Sequence, residues 1–213
     1  MTRGLFITFE GGEGSGKSTQ AARLAAHLRE RGLAVVLTRE PGGSPGAEAI
    51  RKLLVEGDTA RWTGRGELFL HFAARADHVE RVIQPALARG ACVVCDRFTD
   101  STMAYQGYAH GLGREAVERL ADVCHPGLKP DITFLLDIPV EVGMKRSGLR
   151  DSAENRYERM PLEFHERIRN AFLDIASRDA ERIRLIDASA DISALEKIIR
   201  LNVDEMLVKH SGA

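Results

Sequence analysis

The chain has 213 residues, of which 44% are apolar and 29% charged, and its formal net charge is −1. That length supports one α/β domain, residues 1–213, with a sizeable core. The balanced charge argues against a nucleic-acid-coating protein, which would carry a basic stripe or tail.

No stretch approaches membrane-spanning length, and the short apolar run "LFITFEGGE" meets glutamates too soon for a signal peptide. A cytoplasmic setting with reduced thiols is expected. Of the three cysteines, Cys92 and Cys95 lie in "ACVVCD", which reads as a buried strand, and neither they nor Cys124 have a second Cys/His pair at zinc-ligand spacing. Arginine supplies 24 of the 30 basic residues, so only arginines at meaningful positions count as candidates.

In chain order, apolar β-branched runs predict strands at 5–9, 34–38, 91–95, 132–137 and 182–186. Helical spacing predicts helices at 17–31, 47–55, 65–89, 114–122, 139–146, 161–177 and 191–208. Such alternation implies right-handed βαβ units: a five-stranded parallel sheet with helices on both faces, a three-layer α/β/α fold. Ligands then bind beyond the carboxyl ends of the strands. Polar or glycine-rich segments follow four of them: "EGGEGSGK", "REPGG", "DRFTDS" and "DIPVE". The polar segment 147–160, "SGLRDSAENRYERM", interrupts two helical patterns and reads as a mobile flap.

"GGEGSGKS" (11–18) satisfies G-x-x-x-x-G-K-[ST] between a predicted strand and a predicted helix. Successive backbone N–H groups in such a loop cradle a β-phosphate, and the helix adds its positive N-terminal end. Lys17 supplies charge at the β- and γ-phosphates, and Ser18 a magnesium ligand. Gly11, Gly12, Glu13, Gly14, Ser15, Gly16, Lys17, Ser18 and Thr19 are therefore the candidate nucleotide-triphosphate contacts. No NKxD motif reads guanine, which argues against a switch GTPase. Asp96 ends a predicted strand and can hold magnesium through water. The adjacent Arg97 points to a phosphorylated acceptor.

These motifs, with "TREPGG", "AIRKLL", "FAARADHV", "DRFTDSTMAYQG", "PDITFLLDIPVEVGMKR" and "RYERMPLEFHERIR" in this order, make the chain resemble the bacterial thymidylate kinases, P-loop nucleoside-monophosphate kinases. The resemblance implies the P-loop nucleotide-kinase fold with a flexible LID at about 147–160. It also implies ATP as phosphoryl donor, dTMP as acceptor, Mg2+ as cofactor and a homodimer, with no nucleic-acid or membrane partner. It assigns Glu13 to the deoxyribose 3′-hydroxyl, Arg97 to the acceptor phosphate and Arg51 to a second phosphate contact. Arg75 matches the arginine that reads thymine O4, while Thr102 and Gln106 match residues at the pyrimidine edge and sugar. Arg39 and Glu40 set the loop beside the acceptor.

No arginine stands in the phosphate loop, and family members of that kind supply one from the flap. Arg150 is the first choice to touch the transferred phosphate, with Arg146 and Arg156 clamping ATP or bracing the flap. Where the family often places a base-stacking Phe, four residues before Arg75, this chain has His71, so either His71 or the neighbouring Phe72 covers the base.

Overall fold

The computed structural model describes residues 3–148 and 156–211. Five strands, β1 (Phe6–Glu10), β2 (Val35–Arg39), β3 (Cys92–Asp96), β4 (Ile132–Asp137) and β5 (Ile183–Asp187), form one sheet in the order β2-β3-β1-β4-β5. Every pairing is parallel. Each strand lies within one residue of its expected position.

The central strands are apolar on both sides because helices cover both faces. Ile7, Phe9, Val94, Phe134 and Leu136 pack with Leu24 of α1 (Lys17–Glu30) and Ile199 of α9 (Ile192–Ser211). The opposite face sends Leu135 into a cluster with Phe72, Phe164, Ile168 and Phe172, and Phe6 and Val93 into one with Ile83 and Phe98. On that same face the buried Thr8 and Thr133 hydroxyls satisfy each other at 2.7 Å. The edge strands β2 and β5 are only part-buried, as their polar residues require.

Helix starts follow local chemistry. Ser44 caps α2 (Pro45–Val55), with Pro45 in the first turn, and Thr63 accepts from Gly66 N at the start of α3 (Gly64–His78). The helix expected over 65–89 is three pieces: α3, a π-helical segment Val79–Ile83, and α4 (Gln84–Ala88), whose first turn holds Pro85. A proline cannot donate to the preceding turn, which fits a change of winding at that point. One helical stretch was not expected: α5 (Thr99–Thr102) runs into a π-helical segment Met103–Ala109. α6 (Arg114–Cys124), α7 (Val140–Ser147) and α8 (Leu162–Arg178) lie close to expectation.

The chain leaves β1 toward β2 and leaves β3 toward β4, across β1. The two connections part between neighbouring strands, which opens a crevice at their carboxyl ends.

Candidate active site

The crevice is a cleft of about 1140 Å3 lined by residues 13–20 and Arg23, by residues of α2 and α3, and by residues at or beyond the ends of β2, β3, α7 and β5. Its floor is the glycine loop after β1. Gly14 has φ +68, and a Cβ there would come 2.0 Å from Gly143 O. Glycine at both positions lets α7 press against the loop, which brings Arg146 to the rim of the cleft.

Lys17, the first residue of α1, is buried, and its Nζ donates to Gly12 O at 2.7 Å and Ser15 Oγ at 3.3 Å. Burial and the nearby Arg97 push its pKa down to about 8, against the pull of Glu13 and Asp96. Ser18 Oγ donates to Asp96 Oδ2, while the buried Asp96 Oδ1 has no hydrogen-bond partner. A hydroxyl beside a carboxylate with a spare oxygen suits magnesium, which takes hard oxygens and leaves most positions to water and phosphate. Among the described residues no larger His/Cys/Asp/Glu cluster offers a rival metal site.

Arg97 has φ 69, the single non-glycine residue with positive φ among those described. That conformation is costly, and surrounding bonds hold it. Arg97 Nη1 donates to Gly11 O (3.1 Å) and Ser101 Oγ (3.0 Å), and Nη2 to Glu13 Oε1 (2.8 Å). Behind it the buried Glu10 accepts from Phe98 N at 2.8 Å and Ser101 Oγ at 2.5 Å. Burial, then Asp100, raise Glu10 to about 8. Glu13 also accepts from Tyr105 Oη at 2.8 Å. Burial opposes its charge, but Arg97, Lys17 and Tyr105 hold it at about 2.

A second set of buried polar groups borders the cleft beyond Arg97. Arg75 Nε donates to Glu40 Oε2 at 2.7 Å and Nη2 to Thr102 Oγ1 at 2.9 Å, leaving Nη1 without a partner. Glu40 is fixed in turn by His78 Nδ1 at 3.0 Å, and His78 Nε2 lies 2.7 Å from Thr38 Oγ1. Gln106 donates to Glu67, and its Oε1 has no partner. Arg51 Nη1 donates to Pro41 O at 2.7 Å, and the exposed Arg39 pairs with Glu48 at 3.2 Å.

Of the two candidates to cover a base, His71 borders the cleft and Phe72 does not. Phe72 falls on the core stripe of α3 with Leu68, and its ring lies 4.9 Å beneath the Arg75 guanidinium. His71 Nε2 is 3.0 Å from Tyr157 Oη, and burial lowers its pKa to about 4, so it is neutral near pH 7.

The flap arginines separate. Arg146 is exposed, borders the cleft and donates to Ala188 O at 3.1 Å. Arg156 is not an arm over the site. It is 1% exposed, donates to Leu54 O, Asp58 O and Thr59 O, and pairs with Glu67 Oε2 at 2.7 Å. Arg150, with residues 149–155 of the expected LID, lies outside the described residues.

Sequence reasoning passed over several lining residues. Tyr105 falls between Thr102 and Gln106, and Tyr157 and Glu158 directly follow Arg156. Residues 189–192 line the cleft just after β5, and the rule that ligands sit at strand ends pointed there too.

The likeness to known proteins runs the length of this architecture. A family profile described as thymidylate kinase matches residues 9–199. The chain is 52% identical to a thymidylate kinase of Caulobacter vibrioides, covering 93% of this chain and 95% of that protein. It is 47% identical to one of Methylococcus capsulatus, over 99% and 100%. The crystal structure of thymidylate kinase from Ehrlichia chaffeensis aligns with a TM-score of 0.74 at 35% identity, covering 96% of this chain and 99% of that one. With the glycine loop, Asp96-Arg97 and the buried Arg75 gathered at one crevice, the chain belongs to the thymidylate kinase family.

Proposed function

We infer that this chain performs the reaction its family is named for, transferring the γ-phosphoryl group of ATP to dTMP to give ADP and dTDP. The observation that carries this is the shared cleft: a phosphate-binding loop and a buried, partly unpartnered arginine, Arg75, border one space.

The loop from Gly11 to Thr19 holds the triphosphate through backbone N–H groups, and Lys17 turns from Gly12 O toward it. Arg146 and residues 189–192 flank the nucleoside end. Arg97 takes the acceptor phosphate, with Arg51 as a second contact. Glu13, held ionised, orients the sugar hydroxyl. Arg75 donates Nη1 to thymine O4, and Thr102 and Gln106 complete the base edge beside His71. Arg39 lies at the mouth, and Glu40 acts through Arg75.

The acceptor is already an anionic phosphate oxygen, so no general base is needed. Phosphoryl transfer depends instead on positioning and on cations around the equatorial oxygens. Ser18 and, through water, Asp96 would hold Mg2+, which neutralises phosphate charge when bound. Arg150 supplies the cation nearest the transferred group.

We place the enzyme in the cytoplasm as a homodimer. Supporting this, the three cysteines are free thiols, and among the described residues no helix is long and apolar enough to cross a membrane. Phe69 on α3 and Val123 on α6 are large apolar side chains left exposed. Sedimentation equilibrium tests the dimer, and Phe69→Glu with Val123→Glu should give a monomer.

The test of function is ADP release from Mg-ATP with and without dTMP. Wild type should show dTMP-dependent turnover. Lys17→Ala should lose it by ~10³ or more while keeping measurable dTMP affinity. Loss of both in a folded variant would contradict the division between loop and acceptor site.

A further inference from the structure

Gln106 is completely buried at the border of the cleft. Its Nε2 donates to Glu67 Oε1 at 2.8 Å, and its Oε1 has no partner. An amide turned over by 180° keeps its shape and exchanges donor for acceptor, so its partner decides which end faces the cleft.

That partner is an acceptor only. Glu67 is 0% exposed on α3, with Arg156 Nη2 2.7 Å from Oε2 and His110 Nε2 3.3 Å from Oε1. Burial disfavours its charge, but His110, His71 and Arg156 outweigh it and hold the carboxyl at about 2. An ionised carboxylate donates nothing. Gln106 must therefore give its NH2 to Glu67 and leave its carbonyl over.

The carbonyl left over has a counterpart. Arg75 Nη1 is a buried donor without a partner, and Gln106 Oε1 a buried acceptor without one. Thymine and uracil present an acceptor, O4, beside a donor, N3–H. Cytosine presents the reverse, an amino group beside a bare N3. We propose that Glu67 is a positioning residue for acceptor choice: it pins the Gln106 amide so that only Oε1 meets the base, which selects a pyrimidine bearing N3–H. The proposal deepens the dTMP reading and rests on it. The same carboxylate ties Arg156, the first described residue after 149–155, to the base pocket.

The measurement is kcat/KM of the full-length protein for dTMP and for dCMP. In Glu67→Gln the partner can donate or accept, so Gln106 is free to turn. The dTMP-to-dCMP ratio should fall ~10-fold to 100-fold, the range expected when a buried polar group is left free to pair differently. The exchange variant Glu67→Gln/Gln106→Glu puts a pure acceptor back beside the base and should restore the ratio.

An equal loss with both acceptors in Glu67→Gln would reduce Glu67 to a fold-supporting residue and overturn the proposal. If Glu67→Gln does not fold, wild type labelled with 15N-glutamine decides, its Gln106 signal identified from Gln106→Leu. The side-chain NH2 should exchange slowly and barely move when dTMP is added. A large shift would mean that the NH2 faces the base. Wild type without dTMP-dependent ADP release would refute the function as well. Strong dTMP preference with an unchanged ratio in the variant would refute the positioning role alone.

Discussion

Glu40 Oε2 stands 2.7 Å from Arg75 Nε, and both side chains are almost wholly buried. The carboxylate fixes one edge of the guanidinium and Thr102 another, so a single N–H corner is left. His78 holds the carboxylate from behind. Removing one partner of such a pair strands a buried charge, which costs about 3–5 kcal/mol. Glu40→Ala should lower stability by that order in urea unfolding. It should also raise KM for dTMP far more than KM for ATP.

Glu10 bears on Arg97 through Ser101 and the backbone of Phe98. Its pKa rises on folding from 4.5 to about 8, because of burial and then Asp100. Between those values the folded chain binds a proton that the unfolded chain does not, so stability falls as pH rises through the window. Glu10→Gln removes that titration. Its melting temperature relative to wild type should climb from pH 5 to 8, whereas Glu10→Ala should lose stability and turnover together.

The sheet, its flanking helices and the phosphate loop were legible because each follows from a local pattern: apolar runs, helical spacing, and a glycine loop between them. The helical stretch from Thr99 to Ala109 was not, because "TDSTMAYQGYA" mixes polar residues and a glycine without a clear apolar stripe. The partners of the buried polar groups were invisible for another reason. Glu40 meets Arg75 across 35 residues, and Glu67 meets Gln106 across 39, so neither pair leaves a trace in spacing. For Arg156 the sequence showed a cation near the flap. Only packing shows it turned inward onto three carbonyls.

That difference separates two arginines of the flap region. Arg156→Met should cost about 3–5 kcal/mol of stability by taking the arginine's charge away from the buried Glu67 carboxylate. Arg146→Ala, at an exposed position on the rim of the cleft, should leave the melting temperature nearly unchanged and raise KM for ATP. Thermal melts paired with steady-state kinetics on both variants check the contrast.

His71 offers a pH test of the base pocket. Burial takes its pKa from 6.5 to about 4. Across that window the unfolded chain binds a proton that the fold refuses, so stability falls as pH drops from 6.5 toward 4. His71→Phe should lessen that fall. Because His71 is neutral in the folded protein near pH 7, the KM profile for dTMP between about pH 5.5 and 7.5 should keep its shape in the variant.

The most direct measurement is an acceptor panel: purified protein with Mg-ATP and dTMP, dUMP, dCMP, dGMP, AMP or thymidine, reading kcat/KM and product mass. Fast conversion of dTMP to dTDP is expected, with weaker use of dUMP, since one methyl group is worth about 1–3 kcal/mol in a pocket. Turnover of dCMP and thymidine should fall far below both. Preferred turnover of dCMP, a purine monophosphate or the unphosphorylated nucleoside would contradict the dTMP reading.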